Sequence, residues 1–181
     1  MAALEFSRRY AMAHRLLADP ASKCAIPHGH NEIVTVRLTP RARFAFGGAN
    51  ALAPFATLKA RWHGWIDAHV DHTLMLSEAD PLIDYFRDHE PARLARIMTF
   101  PGDPTTEALA ACFLLKLQAF LAIDDLPFAV GEVRVAETPT NTAMITLDLL
   151  DDGALPRDAW PRRADMSINE FGPRAARPSP R

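Results

Sequence analysis

Two histidines separated by one residue are the clearest chemical feature of this 181-residue sequence. His28 and His30 flank Gly29, and on an extended strand two side chains at this spacing point to the same face. Both imidazoles could then reach one ion, and the glycine lets the backbone come close to whatever they bind. His14 lies upstream, and three histidines with an open fourth position are typical of a catalytic zinc site. A His-x-His pair alone is a weak signal, so a metal site needs support from other residues.

Cys24 stands four residues before His28 and allows two interpretations. As a fourth metal ligand, the cysteine would close the site. As a general base, it would need a thiolate that nearby cations stabilise. The spacing alone is compatible with both roles.

The composition narrows the class of protein. With 181 residues, of which 49% are apolar, the chain can form one domain with a sizeable core. Its formal net charge of −2 gives no reason to expect a nucleic acid as a partner, because proteins that bind nucleic acids usually carry a basic stripe. No stretch reaches the length of a membrane span, and the first residues lack a signal-peptide core. We therefore expect a cytoplasmic protein with no membrane partner.

Apolar periodicity predicts four strands and two long helices. A helix-like pattern also covers residues 81–95, with a break at Pro91, and residues 44–46 could extend the sheet. The order of two strands, two helices and two strands fits an α+β fold, in which one antiparallel sheet carries both helices on one face. In chain order, the predicted elements are strands 4–13 and 31–38, a helix over 55–70, a helix capped by Thr105 or Thr106 that ends near Ile123, and strands 128–137 and 143–150.

The sequence changes character after residue 150. Residues 151–181 contain several prolines and recurring arginines without an apolar period, which predicts a loosely ordered extension. On this interpretation, removal of residues 157–181 would leave a folded core. An arm that packs on a neighbouring subunit is the alternative.

Five stretches, taken in order from about residue 4 to residue 150, together resemble one known family. They resemble the 6-pyruvoyltetrahydropterin synthase family, and the three-residue gap between Cys24 and His28 resembles its bacterial 6-carboxytetrahydropterin synthase branch, which serves queuosine biosynthesis. The stretches are Phe6-x-x-x-Tyr10-Ala-x-Ala-His14-Arg15-Leu16; Cys24-x-x-x-His28-Gly29-His30-Asn31; Phe55-Ala-Thr-Leu58-Lys59 followed by Val70-Asp71-His72-Thr-Leu; Pro104-Thr-Thr-Glu107-Ala-Leu-Ala; and Val135-Ala-Glu137-Thr-Pro-Thr140-Asn.

The resemblance implies a fold, an assembly and a division of the chain. The fold would be the T-fold, a ββααββ unit whose four-stranded antiparallel sheet joins those of other subunits in an oligomeric barrel. By the same resemblance we expect a homo-oligomer, specifically a hexamer. The T-fold domain would cover residues 1–150, with residues 81–103 as an insertion, and residues 151–181 would form a Pro/Arg-rich extension.

The resemblance also implies roles for the residues around the histidine pair. His14, His28 and His30 would hold Zn²⁺, which would act as a Lewis acid on oxygens of the substrate side chain. Of the two interpretations of Cys24, the family favours the general base. 

Three acidic residues and one further histidine complete the implied site. Asp71 would orient His72, which would shuttle protons. Glu137, at a strand end beside a Thr-Pro-Thr turn, would anchor a pterin through its amino group and a ring nitrogen and could share in the proton relay. Glu107 is a second candidate for the same pocket, and it could equally belong to a helix capping box.

The implied activity is that of a zinc-dependent lyase acting on a pterin. It would convert 7,8-dihydroneopterin triphosphate to 6-carboxy-5,6,7,8-tetrahydropterin, with loss of acetaldehyde and triphosphate. One alternative keeps the fold and the metal but makes 6-pyruvoyltetrahydropterin. The other alternative is a non-catalytic T-fold protein that binds a pterin or a metal.

Overall fold

The structure is a computed structural model that describes residues 3–171. Within these residues the chain forms an α+β fold with six strands and three α-helices. The strands are β1 Leu4–His14, β2 His28–Pro40, β3 Thr73–Ser77, β4 Ile97–Phe100, β5 Phe128–Ala136 and β6 Thr142–Ile145; the helices are α1 Phe55–Trp65, which continues as a π-helical turn over Ile66–Val70, α2 Leu82–His89 and α3 Thr106–Ile123.

The six strands form one mixed sheet in the order β4-β3-β1-β2-β5-β6. The pairs β1–β2, β2–β5 and β5–β6 are antiparallel, whereas β3 pairs parallel with β1, and β4 pairs parallel with β3. The α+β class is confirmed, but the expectation of a sheet made of four antiparallel strands alone is wrong. 

Strands β3 and β4 do not show an alternation of apolar and polar residues, because neither strand has an exposed face. All four residues of β4 and four of the five residues of β3 are buried. A strand buried on both faces is a short apolar run, which periodicity cannot distinguish from a piece of helix. The chain enters β3 through His72, whose backbone N–H donates to the Ala11 carbonyl at 2.7 Å and so starts the pairing with β1.

Helices α1 and α3 pack against one face of the sheet in a single core. Trp62 and Trp65 of α1 contact Phe113 of α3 edge-on, and alternate residues of β1 and β2, such as Tyr10 and Val34, join the same cluster. By length and composition α3 could cross a membrane, but 56% of that segment is buried within the protein, which is the pattern of a core helix.

Several predicted boundaries differ from the structure. Residues 81–103, the predicted insertion, hold α2, a 3-10 turn over Pro91–Arg96 and β4. Phe44 and Phe46 do not extend the sheet but lie exposed in the loop between β2 and α1. The last predicted strand, 143–150, is shorter, because β6 ends at Ile145 and a 3-10 turn follows.

The segment after residue 150 is not loosely ordered as far as Phe171. Trp160 is 2% exposed, and its indole Nε1–H donates to the Thr99 carbonyl at 2.8 Å. The fully buried Lys116 of α3 donates to the carbonyls of Trp160 and Arg163 at 3.0 Å each. The expectation of a loosely ordered extension is wrong here. The buried residues of this segment, such as Trp160, are few and irregularly spaced, so they produce no apolar period in the sequence. Residues 172–181 of the predicted extension lie outside the described residues.

We therefore expect Trp160→Ala to destabilise the fold strongly. Loss of a buried tryptophan costs about 3–5 kcal/mol, which for a chain of this size lowers the melting temperature by roughly 10 °C. Thermal unfolding followed by circular dichroism measures the change, with the exposed Arg157→Ala as the matched control. A Trp160→Ala protein that melts within about 2 °C of the wild type would contradict the packing described for this segment.

Candidate metal and catalytic site

The three predicted metal ligands lie together where β1 ends and β2 begins. In the antiparallel register His14 is opposite His28, and His30 is two residues further on the same face of β2. One ligand atom of each ring lies within 4.8 Å of those of the other two. The structure therefore places these histidines as a group that could hold a metal ion.

Gly29 between the two β2 histidines lets the two strands approach each other. A Cβ at this position would lie 2.7 Å from the carbonyl oxygen of Met12 on β1. Real Cβ atoms do not come so close to backbone oxygens. The close approach is thus between β2 and β1, rather than between the backbone and a bound group as the sequence suggested.

Backbone carbonyls orient two of the three rings. Nδ1–H of His14 donates to the Pro104 carbonyl, and Nδ1–H of His28 donates to the Ile26 carbonyl, both at 2.9 Å. A carbonyl can only accept, so Nδ1 carries the proton and Nε2 of each neutral ring carries a lone pair. These two Nε2 atoms face each other at 3.1 Å. Two lone pairs at this distance repel, and a cation placed among the three rings would attract both, so the donor set fits a metal ion.

The protonation of His14 also suits a metal ligand. His14 is 3% exposed, and its burial is the main cause that lowers its pKa below 6.5. The hydrogen bond to Pro104 acts to raise this pKa, whereas the neighbouring His28 and His30 lower it further. A lowered pKa keeps the imidazole neutral near pH 7, and only a neutral imidazole can bind a metal.

Glu137 lies beside this group, as the family resemblance implied. It follows the last residue of β5, and its Oε1 is 3.9 Å from Nε2 of His30. The same oxygen accepts a hydrogen bond of 2.9 Å from the hydroxyl of Thr106, at the start of α3. The carboxylate is thus held at the edge of the histidine group with part of its surface exposed.

Glu107, the second acidic candidate, forms no hydrogen bond or ion pair with this group in the part of the chain that the structure describes. It is exposed in the first turn of α3. Thr105 caps that helix, and its hydroxyl accepts from the backbone N–H of Ala108 at 3.3 Å. With Thr105 as the N-cap, a capping box would need a glutamate at position 108, so the capping-box interpretation of Glu107 is wrong.

Cys24 lies in the loop between β1 and β2, in a 3-10 turn over Lys23–Ala25. Ser22 caps this turn by accepting from the Cys24 backbone N–H at 3.1 Å, and the Cys24 carbonyl accepts from the Leu16 N–H at 2.8 Å. Over residues 3–171, the group of side chains close enough to share a metal contains the three histidines and not this cysteine. The geometry gives no support to a fourth ligand at Cys24.

Asp71 and His72 form an oriented pair at the start of β3. Nδ1–H of His72 donates to Asp71 at 2.9 Å, and the other carboxylate oxygen accepts from the Ala11 N–H at 2.7 Å. Partial burial acts to raise the pKa of Asp71, but the bonds from Ala11 and His72 outweigh it and leave the pKa below 3.8. In the described chain the side-chain hydrogen bonds of this pair go to Ala11 and to each other, not to the three histidines. The imidazole of His72 is 77% exposed.

Sequence reasoning missed a buried carboxyl group in the same region. Glu32 is 1% exposed, and its Oε2 accepts a hydrogen bond of 2.5 Å from the hydroxyl of Tyr10. Burial, reinforced by the charge of Glu137 and opposed by the Tyr10 bond, raises the pKa of Glu32 to about 7. The available signal was its spacing, because Glu32 continues the alternation of His28 and His30 along β2.

Comparison with known proteins agrees with this arrangement. A protein that Halobacterium salinarum encodes, named probable 6-carboxy-5,6,7,8-tetrahydropterin synthase, is 31% identical over 137 residues, which cover 75% of this chain and 80% of the relative. An uncharacterized protein of Wolinella succinogenes, WS1659, has a similar solved structure, with a TM-score of 0.62, 22% identity, and coverage of 81% of this chain and 99% of the other.

Two further matches connect the chain to one family. The solved 6-pyruvoyl tetrahydropterin synthase of Caenorhabditis elegans superposes with a TM-score of 0.55 and 22% identity, over 80% of this chain and 94% of the other. The family model described as 6-pyruvoyl tetrahydropterin synthase matches residues 3–148, which include the three histidines, Cys24, Asp71, His72 and Glu137. The chain therefore belongs to the 6-pyruvoyl tetrahydropterin synthase family.

Proposed function

We propose that the chain is a zinc-dependent lyase that converts 7,8-dihydroneopterin triphosphate to 6-carboxy-5,6,7,8-tetrahydropterin, releasing acetaldehyde and triphosphate. Family membership makes it a pterin-processing lyase. The product is inferred from the name of the Halobacterium relative. The observation that carries the proposal is that three histidines converge beside a carboxylate, with the Nε2 atoms of His14 and His28 3.1 Å apart.

His14, His28 and His30 would hold the metal. Three imidazole nitrogens with room for a further ligand are the donor set of catalytic zinc. When bound, the ion would polarise oxygens of the substrate side chain and stabilise negative charge that develops on them. The bonds to Pro104 and Ile26 would keep two of the rings in their ligating orientation throughout.

The remaining residues would bind the pterin and move protons. Glu137, held by the Thr106 hydroxyl, would accept from the amino group and ring N–H of the pterin, two donors in a guanidine-like arrangement. Cys24, as a thiolate, would remove a proton from the substrate side chain. Asp71 fixes Nδ1 as the protonated nitrogen of His72, which leaves Nε2 free to accept and return a proton.

We also propose a homo-oligomer in the cytoplasm, by family resemblance a hexamer of T-fold subunits that assemble into barrels. The exposed imidazole of His72, oriented by Asp71 but bonded to no residue of the histidine group, supports the assembly. Such a side chain is well placed to face the site of a neighbouring copy.

Product analysis tests the reaction most directly. Purified, zinc-loaded protein is incubated with dihydroneopterin triphosphate, and the pterins are identified by mass spectrometry. We expect 6-carboxytetrahydropterin together with acetaldehyde. Formation of 6-pyruvoyltetrahydropterin would favour the second candidate, which the name of the family supports. Absence of turnover would contradict both.

We expect His28→Ala to lose the metal while the fold is retained. Substitution of a residue that only supports a ligand typically lowers metal affinity 10- to 100-fold, so removal of the ligand itself should lower it by more than about a hundredfold. Metal analysis after dialysis measures occupancy, and the exposed His89→Ala serves as the matched control. Full occupancy in His28→Ala would remove this residue from the site.

Cys24→Ala should keep the metal and lose most of the activity. Loss of a positioned base typically slows turnover by roughly 10²–10⁴-fold. His72→Ala should lose a similar factor, and the double mutant should be little slower than either single, because members of one relay are not additive. Zinc content and turnover are measured on the same samples. A metal-free Cys24→Ala protein, or a fully active one, would defeat the general-base assignment.

A further inference from the structure

Three polar side chains form a row across the sheet, next to the histidine group. Tyr10 of β1 is opposite Glu32 of β2 in the antiparallel register. Ile33 of β2 is opposite Ala136, the last residue of β5, so one step further along the same register places Glu32 opposite Glu137. The row and the histidines lie on the same face, because His28, His30 and Glu32 alternate along β2.

One of the two carboxyl groups in this row, that of Glu32, has fewer hydrogen-bond partners than its burial requires. Oε2 of Glu32 accepts from Tyr10, but Oε1 is buried without a hydrogen-bond partner among the described residues. Oε1 of Glu137 accepts from the hydroxyl of Thr106. Neither carboxyl group forms an ion pair with a lysine or arginine of the described chain, although like charges on directly opposite residues of neighbouring strands repel. The row thus combines a buried acceptor without a donor, Oε1 of Glu32, with the partly exposed carboxylate of Glu137.

Glu32 is not explained by packing alone. The residues that follow it on the same face of β2 are Val34, Val36 and Leu38, all fully buried. An apolar side chain at position 32 would continue this face without the free-energy cost of burying a carboxyl group that lacks a full set of partners.

We propose that Glu32 is a positioning and specificity residue that acts through Glu137 to select ligands carrying adjacent N–H donors, such as the amino group and ring N–H of a pterin. This inference rests on the proposed function. Glu32 is too buried to touch the ligand, so it acts through Glu137, its neighbour across the strand pair, whose carboxylate is partly exposed. Its acceptor character strengthens the preference of the site for donors. A ligand with an oxo group in place of the amino group would direct an oxygen lone pair at one of these acceptors and would bind more weakly.

The test compares two ligands on the zinc-loaded full chain. Pterin and lumazine differ at one position, where lumazine has an oxo group instead of the amino group. Glu32→Gln keeps the shape of the side chain and an oxygen for Tyr10 but removes the carboxylate. By fluorescence titration, we expect it to weaken pterin binding about tenfold, because Glu137 loses the neighbouring acceptor that favours donors in the site, and to weaken lumazine binding by much less. Zinc content should be unchanged.

Two further variants provide controls. Glu132→Gln alters a glutamate on the opposite face of β5, where it pairs with Arg134 at 3.0 Å, and should leave both affinities unchanged. Tyr10→Phe removes the donor that holds Glu32 and should lower the preference for pterin without removing the carboxylate. Tyr10→Phe also serves as the test if Glu32→Gln does not fold.

The possible outcomes separate this inference from the proposed function. A Glu32→Gln or Tyr10→Phe protein with the wild-type preference for pterin over lumazine would overturn the inference. Equal weakening of both ligands would also overturn it, because that result indicates a general packing role. If these variants behave as wild type while Glu137→Gln loses pterin binding, the proposed function stands without the inference. Failure of the wild-type protein to bind pterin would overturn both.

Discussion

The pairing of β1 with β2 is the constraint on which the candidate site depends. His14 ends the first strand and His28 begins the second, and only their register places the two rings against each other. A slip of one residue would turn every side chain of one strand to the opposite face and separate the ligands. The core fixes this register. Buried residues alternate with more exposed ones along both strands, and the buried ones pack under α1 and α3. The packing that stabilises the fold therefore also positions the three histidines.

Much of this arrangement can be predicted from the sequence, because its causes are local. The strands predicted over 4–13 and 31–38 show the alternation of a half-buried sheet, and the structure confirms both. The second strand begins earlier than predicted, at His28, so that it also carries His28 and His30. Helix α3 begins at its threonine cap and ends at Ile123 as predicted. The proximity of Glu137 to the histidines came from the family resemblance, since residues so far apart in sequence share no local pattern.

The parts that sequence reasoning missed depend on contacts between distant segments. Strands β3 and β4 are buried on both faces and so lack alternation. Trp160 is an isolated anchor in a proline-rich segment, and only its fit against α3 and β4 shows that the segment is packed. Glu32 drew no prediction from the sequence, and only the structure places it between Tyr10 and Glu137. The roles of Cys24 and of the Asp71–His72 pair remain predictions, because they concern the reaction rather than the fold.

The central claim is that three histidines, without Cys24, form a metal site with an open position. X-ray absorption at the zinc edge of the purified, zinc-loaded protein tests this claim directly, because it distinguishes nitrogen from sulfur ligands by distance. We expect three imidazole nitrogens at about 2.0–2.1 Å, with the remaining coordination supplied by oxygen at a similar distance. A sulfur ligand at about 2.3 Å would contradict the exclusion of Cys24. A spectrum without the signature of histidine rings would contradict the site itself.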